Sequence, residues 1–516
     1  MSDLTLRDEV RAGNPVSAEP SASPIVSHRH TATWVCVAAF TGLNLALSLH
    51  ALTGRSIWLD EADSWYVSAQ HIPKLISYAG WQGNMELYDA VLHFVISIFG
   101  SSAFALRAPS AVFGAAAIPV VFLIGRHIGG ARCGLVASAL SSVSLPLILW
   151  SEYARAYSMG TLLACGSVLA FLKAVESPTT RNFVIWTVVS AALTYTLTLG
   201  LFVLAAQLGS LVFLNPRLVP WRKVLASSVA IALFDVPLTY VVIRDGTGQI
   251  AWIPPASLDE IRSIVDYLLG AVNPRVSLAE VAMGALCLGG LAVGVWALVR
   301  YGRSRVSWRL ILILCWLVVP VLIGTFVSLT SQPLLYDRYF LTSVPAAVLL
   351  SAFVLSRFPV VIAVALAAAI FAGQLVGLPS MYARTIGNFQ AAASYIFTHD
   401  RSGDCITFEI QANEFTYEYF LTQWGHGHAI TSTPRWIYPS IATTTDVGTL
   451  GDELQATEHQ NGRQILVRAQ GCGRVWLVVW GTLVGSDRNV RSRLESAYGP
   501  PLARNYDGVT VDLFRH

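Results

Sequence analysis

Eleven apolar stretches constrain this chain more than any other feature. They fall at about 32–52, 106–125, 133–150, 157–175, 183–198, 199–214, 224–243, 278–299, 310–329, 339–355 and 359–378. A helix needs roughly 20 apolar residues to cross a hydrocarbon core of about 30 Å. Backbone polar groups inside that core must be satisfied within the helix itself. The sequence therefore predicts a polytopic α-helical membrane protein with about eleven spans. Composition agrees: 54% of the 516 residues are hydrophobic and the mean hydropathy is +0.56. Only 13% are charged, against about a quarter in ordinary domains. The net charge of +3 is too small to suggest nucleic acid, and no such partner is expected.

Residues 1–30 are polar, rich in Ser, Pro and Ala, and read as a disordered tail rather than a cleaved signal. The pair 183–198 and 199–214 is short for two spans, and could be a tight hairpin or one tilted helix. Charge favours the hairpin. With eleven spans and the N-terminus inside, Arg126, Arg132, Lys173, Arg181, Arg222, Lys223 and the four arginines from Arg300 to Arg309 share the inner side. Asp60, Glu61, Asp63, Glu86, Asp89, Glu152 and Asp337 share the other. A single span would invert every later loop and mix the two sets. The C-terminus is thus expected outside.

The outer loop at 53–105 is long and rich in Trp and Tyr. Trp65–His71 is predicted as a short helix capped by Ser64, and Pro73 as the first turn of another. In the loop at 244–277, Leu258–Leu269 reads as a polar helix. From residue 385 the apolar runs shorten, and residues 385–516 read as a small extracytoplasmic α/β domain. Its helices are predicted at Asn388–Thr398, Asn413–Gln423 and Arg488–Tyr498. Its strands are predicted at Cys405–Ile410, Arg474–Trp480 and Gly508–Phe514. Cys405 and Cys472 could pair if that domain lies outside the membrane. The other five cysteines sit in or beside apolar runs as small core residues. His426 and His428 have no neighbouring acids and make a poor metal site.

Trp58-Leu59-Asp60-Glu61-Ala62-Asp63-Ser64 places three carboxylates within four residues at the mouth of the first span. One acid there would only mark the end of a span. Three, framed by Trp58 and Trp65, suit proton transfer, and Asp60 and Glu61 are the base candidates. Arg155 lies in the short turn Glu152-Tyr153-Ala154-Arg155-Ala156-Tyr157. Its planar fork suits phosphoryl oxygens, with Tyr157 beside it; the plain alternative is snorkelling to headgroups. Arg338, in Tyr336-Asp337-Arg338-Tyr339, is a second phosphate candidate. Arg107 could bind a lipid phosphate or pair with an acid of the first loop. Asp63, Glu86, Tyr88 and Glu152 are candidate acceptor or loop contacts. His93 is isolated and reads as structural. Asp235 is either functional or the cap of a kink before Pro237.

Several of these pieces stand in the order of a known group. Trp58-Leu59-Asp60-Glu61, Leu87-Tyr88, the run from Phe99 to Ser110, and Ser151-Glu152-Tyr153-Ala154-Arg155-Ala156-Tyr157-Ser158 resemble the C-type membrane glycosyltransferases. Within these, the chain is most similar to the glycosyltransferase family 39-like, protein-mannosyltransferase-like group that includes aminoarabinose lipid A transferases. The motifs cover about 55–160. Looser similarity, with Asp337-Arg338-Tyr339 and Pro345, reaches about 375. The resemblance implies a catalytic membrane domain at 31–384 in a bacterial plasma membrane. It implies a sugar, mannose or arabinose, carried on a polyprenyl phosphate and used on the outer face. The acceptor would be a cell-envelope glycan, glycolipid or protein. The family's acidic pair falls on Asp60, as base, and Glu61. Its turn arginine falls on Arg155. A divalent cation, Mg²⁺ or Mn²⁺, held by Asp60 and Glu61, assists some relatives and not others. Met85-Glu86 stands where many relatives carry a His or Asp with Pro, so contacts in that loop are expected to differ. The C-terminal domain resembles outer domains that guide acceptor glycans.

Two other readings compete. A flippase of polyprenyl-linked sugars needs polar residues near the midplane of the spans. Few occur there, and the charges cluster on one side. A non-enzymatic assembly or adhesion protein would have no use for acids and arginines gathered at the mouths of four spans.

Overall fold

The protein was analysed as a computed structural model that describes residues 24–50, 52–82, 84–245, 253–272, 277–408, 413–425, 433–437, 462–480 and 486–515. Most of the expected tail, and His426 and His428, lie outside these residues. Residues 24–30 do not extend the tail: they open the first helix, Pro24–Leu49.

The fold is mostly helical, and each of the eleven apolar stretches is mainly helical among its described residues. Among the described residues, seven helices are long and apolar enough to cross a membrane. There are up to nine if each of two bent pairs is one span: Ala131–Ser142 with Leu145–Ser151, bent by 56°, and Trp221–Phe234 with Val236–Arg244, bent by 48°. The disputed stretch is two helices, Thr180–Thr196 and Gly200–Ser210, because Leu197 is extended and ends the first. This excludes one long helix. Both pieces are shorter than a full span, so eleven full-length crossings are not seen. Helices Ala103–Gly129 and Ala131–Ser142 turn back on each other at a pair of glycines: a Cβ on Gly125 would stand 2.8 Å from Gly134 Cα. Small residues let helix backbones approach this closely inside a membrane.

Where the first outer loop was expected, three helices follow one another: Leu59–Ser68, Ile72–Gln82 and Glu86–Phe99. The first begins six residues before the predicted start. Trp58 is its N-cap, and Ser64 lies in its middle. Asp60 and Glu61 in the first turn favour helix, because carboxylates there face the positive end of the dipole. Ala62, Trp65 and Tyr66 bury the inner face. The third helix was not anticipated. In the second loop, helix Leu258–Leu268 forms as predicted, with Ser257 accepting from the Glu260 N–H.

The C-terminal domain holds a five-stranded sheet: β1 (Cys405–Phe408), β2 (Arg435–Trp436), β3 (Arg474–Trp480), β4 (Leu502–Tyr506) and β5 (Val509–Arg515). Their order is β2-β1-β3-β5-β4, parallel across β2-β1-β3 and antiparallel across β3-β5-β4. β2 is two residues long and β4 is largely exposed, so neither carries the alternation that reveals a strand in sequence. Cys405 of β1 is disulfide-bonded to Cys472, just ahead of β3. Helix Asn413–Gly425 of this domain packs across Leu59–Ser68. Tyr419 meets Trp65 edge-on at 5.2 Å, Phe415 meets Tyr66 at 4.5 Å, and the Tyr419 hydroxyl donates to the Ser101 carbonyl. One buried apolar cluster runs from the loop helices through Trp150–Tyr157 into the sheet. The helix that bears the acids is therefore held from two sides.

Candidate active site

The N-terminal half of Leu59–Ser68 gathers residues from three distant parts of the chain. Asp60 Oδ2 accepts from Arg338 Nη1 at 2.7 Å, and the Asp60 carbonyl accepts from Arg155 Nη1 at 2.7 Å. The same Arg155 nitrogen reaches Ser64 Oγ at 3.0 Å and Asp63 Oδ2 at 3.4 Å. Arg155 Nε is buried and has no hydrogen-bond partner among the described residues. Burial works against the Arg155 charge, but Asp60 and the groups around it outweigh this and hold its pKa above the ordinary value. Arg155 is fixed by its turn: its own carbonyl accepts from Ser110 Oγ, which in turn meets the Tyr88 hydroxyl at 3.1 Å.

Arg338 stands in a cage of rings. The rings of Trp58, Trp150, Tyr157, Tyr336 and Tyr339 lie 4.9–5.8 Å from its guanidinium. Aromatic faces hold a cation without taking its hydrogen-bond donors. Arg338 thus keeps a defined place while its fork remains suited to an oxyanion.

Glu61 and Arg107 face each other. Glu61 is fully buried and grips Arg107 with both oxygens, at 2.7 and 2.6 Å. It also accepts from the Ala154 N–H. The remaining donors of Arg107 go to the carbonyls of Leu52, Arg55 and Ser56. All five guanidinium N–H groups of Arg107 are engaged, which leaves none for a phosphate. Of its two open possibilities, Arg107 has taken the acid of the first loop. The pair ties the first loop, the second span and the Arg155 turn together, a positioning task. Asp60 and Glu61 thus do not face one another, since each meets its own arginine. Among the described residues, no three of His, Cys, Asp and Glu stand together as a metal site.

The candidate loop contacts divide. Asp63 is the most open of the three acids, with its side chain 30% exposed. Tyr88 is wholly buried behind the site. Glu152 is buried and paired with Arg55 at 2.9 Å; burial nonetheless pushes its carboxyl up to about 7. Glu86 is mostly buried, and burial pushes its carboxyl up to about 7 as well. Tyr157 is buried against Trp150 and Arg338. His93 contacts the Ser68 carbonyl and serves the helix packing. Asp235 accepts from Thr194 Oγ1 at the break between Phe234 and Val236.

Sequence reasoning missed Arg55, Trp150 and Ser64 as site residues. Arg55 carried a usable signal: with Lys74 it is one of only two Lys or Arg residues in the outer loop at 53–105 that also holds Asp60, Glu61 and Asp63. Trp150 and Ser64 carried none, because an apolar tryptophan and a single serine are ordinary anywhere.

The helical bundle with its small C-terminal sheet domain has an ArnT-like fold. Residues 87–240 match the family described as dolichyl-phosphate-mannose-protein mannosyltransferase. By sequence, no curated protein matches the chain. Among solved structures it is similar to ArnT from Cupriavidus metallidurans in the apo state, at 13% identity and a TM-score of 0.61, over 94% of this chain and 98% of that one. It is also similar to the same protein bound to undecaprenyl phosphate, at 14% identity and a TM-score of 0.57, over 93% and 98%. The oligosaccharyltransferase of Archaeoglobus fulgidus in complex with zinc and sulfate matches at 12% identity and a TM-score of 0.50, over 86% and 67%.

Proposed function

We propose that this protein transfers a sugar, mannose or arabinose, from a polyprenyl phosphate to a hydroxyl of a cell-envelope glycan, glycolipid or protein. The observation that carries the proposal is that Arg155 and Arg338 both close on Asp60, one on its carbonyl and one on its carboxylate. A base and two phosphate-binding forks then stand within one side chain of each other. That ArnT binds undecaprenyl phosphate on a similar fold supports a lipid-linked donor.

The step is a single displacement with inversion. The acceptor O–H passes its proton to Asp60 as its oxygen bonds the anomeric carbon. The bond from that carbon to the phosphate oxygen breaks, and the electron pair leaves with the polyprenyl phosphate. Arg155 and Arg338 hold the phosphate as its charge grows. The buried Arg155 Nε–H supplies a donor not engaged by any described residue. Donors fixed before the charge develops cost no reorganisation during the step, so they lower the barrier. When the phosphate draws on Arg338, Asp60 is released to act as base.

The disulfide Cys405–Cys472 supports an extracytoplasmic C-terminal domain, because disulfides persist in oxidising compartments. With that side outward, the basic inner loops obey the charge rule and the site opens on the outer face of a bacterial plasma membrane. Any divalent cation would have to draw Asp60 away from Arg338, so we assign it no step.

The test is transfer by purified protein in nanodiscs, offered radiolabelled polyprenyl-phosphate mannose and polyprenyl-phosphate arabinose with cell-envelope glycan acceptors. The expected result is transfer from one donor by the wild type and its loss in Asp60→Asn. Folded protein that neither transfers nor hydrolyses any donor would overturn the proposal.

A further inference from the structure

Four carboxylates at the mouth have an arginine each: Asp60 with Arg338, Glu61 with Arg107, Asp63 with Arg155 and Glu152 with Arg55. Two further acids have none among the described residues. Glu86 and Asp89 lie in the first turn of helix Glu86–Phe99. Three residues apart, they share one face of that helix.

Asp89 is only 4% exposed, and its Oδ1 has no hydrogen-bond partner among the described residues. Glu86 Oε2 is buried in the same condition. The charged groups that act on Asp89 are Asp63, Arg155 and Glu86, so its carboxyl lies within electrostatic reach of the site. Next to it, Tyr88 feels Glu61 and Arg155 in the same way. Leaving a buried acceptor unsatisfied costs stability. An apolar residue at this position would avoid that cost. The orphan oxygen is thus accounted for if a bound molecule satisfies it.

The chemistry of that molecule follows from the carboxyl's state. Burial, then Asp63, push the Asp89 carboxyl well above the ordinary range, which favours its protonated form. A protonated carboxyl both donates and accepts. A ring hydroxyl of a sugar also donates and accepts, and can satisfy both capacities at once.

We propose that Asp89 is a specificity-determining residue of the donor-sugar subsite, its carboxyl hydrogen-bonding a ring hydroxyl of the sugar whose phosphate lies at Arg155. The assignment rests on the transferase reading above. It separates two parts of one ligand: arginines for the phosphate, Asp89 for the sugar.

The test is equilibrium binding of two probes to the full chain in nanodiscs: bare polyprenyl phosphate, and polyprenyl-phosphate mannose or arabinose, whichever the wild type takes. For Asp89→Ala we expect about tenfold weaker binding of the sugar-bearing probe, the size of one hydrogen bond, with the bare lipid unchanged within about twofold. Asp89→Asn keeps a donor and an acceptor and should recover to within about threefold of the wild type. The unfolding temperature of Asp89→Ala should not fall, because its side chain has no hydrogen-bond partner among the described residues. Equal effects on both probes, or no effect on either, would overturn the assignment while leaving the transferase reading in place. A lowered unfolding temperature would do the same, by showing that the carboxyl is already satisfied in the free protein. Asn losing as much as Ala would also overturn it, and would mark Asp89 as the charged partner of a cation. A wild type that binds neither probe would overturn the transferase reading and this one together.

Discussion

Asp60 and Glu61 are adjacent in one helical turn and each meets an arginine, yet the two ion pairs are built differently. The Glu61–Arg107 pair is sealed: both partners are fully buried, and every donor on Arg107 is occupied. The Asp60–Arg338 pair is held by one described hydrogen bond, retains some exposure, and has rings rather than carbonyls around its cation. A saturated pair can only hold elements together. A pair enclosed by rings can exchange its partner for a phosphate without leaving other groups stranded. On the proposed reading, two chemically similar pairs take opposite roles because of what surrounds the arginine.

The contrast breaks if Asp60 behaves like Glu61. Asp60→Asn should lower kcat on the order of 10²–10⁴-fold, the scale of a positioned base, while leaving the unfolding temperature near that of the wild type. Near-normal turnover would remove Asp60 from the chemistry. Arg107→Met should do the reverse. Removing one partner of a buried pair typically costs about 3–5 kcal/mol, because the other charge is left unpaired. Thermal unfolding in detergent should show this as a large drop or as failure to recover folded protein. Adding Glu61→Gln should restore part of the loss. A stable Arg107→Met single variant would contradict the anchoring role.

The ring cage can be sharpened with Arg338→Lys. The charge survives, but the flat stacking surface and the fork do not. A desolvated cation–π contact is worth about 1–2 kcal/mol, so kcat/KM for the donor should fall roughly tenfold. An unchanged value would mean that only the charge matters.

The smallest effect concerns Glu86. Its carboxyl sits higher in the folded protein than in the unfolded chain, so the folded state binds more protons between the two values. Stability from this group is present below the unfolded pKa of about 4.5 and is lost as pH rises through about 7. Unfolding temperature measured from pH 5 to 8 should therefore decline less steeply in Glu86→Gln than in the wild type. Parallel curves would refute the assignment.

Much of this was legible in the chain. The helical stretches followed from hydropathy, because a bilayer requires long apolar runs and nothing in tertiary packing can substitute for them. The acid run and Arg155 stood out because charge is scarce in such a composition. Three strands of the C-terminal sheet were predicted, since Cys405–Phe408, Arg474–Trp480 and Val509–Arg515 are central and apolar. β2 and β4 were not: one is too short and the other too exposed to show a period. Ser64 was misread as a cap because its side chain suits one. It instead accepts from Arg155, a contact across 91 positions.

By itself the sequence determined that this chain lies in a membrane, that its charges gather at one set of loops, and which residue types stand there. Those follow from composition and period, which are local. Only the tertiary structure decided which arginine meets which acid. Arg338 reaches Asp60 from 278 positions away, Arg107 takes Glu61 from 46, and Asp89 is buried with an oxygen that no described residue meets. Partner choice depends on how helices from distant parts of the chain are brought to one mouth. The number of donors left over depends on the carbonyls and rings that arrive with them.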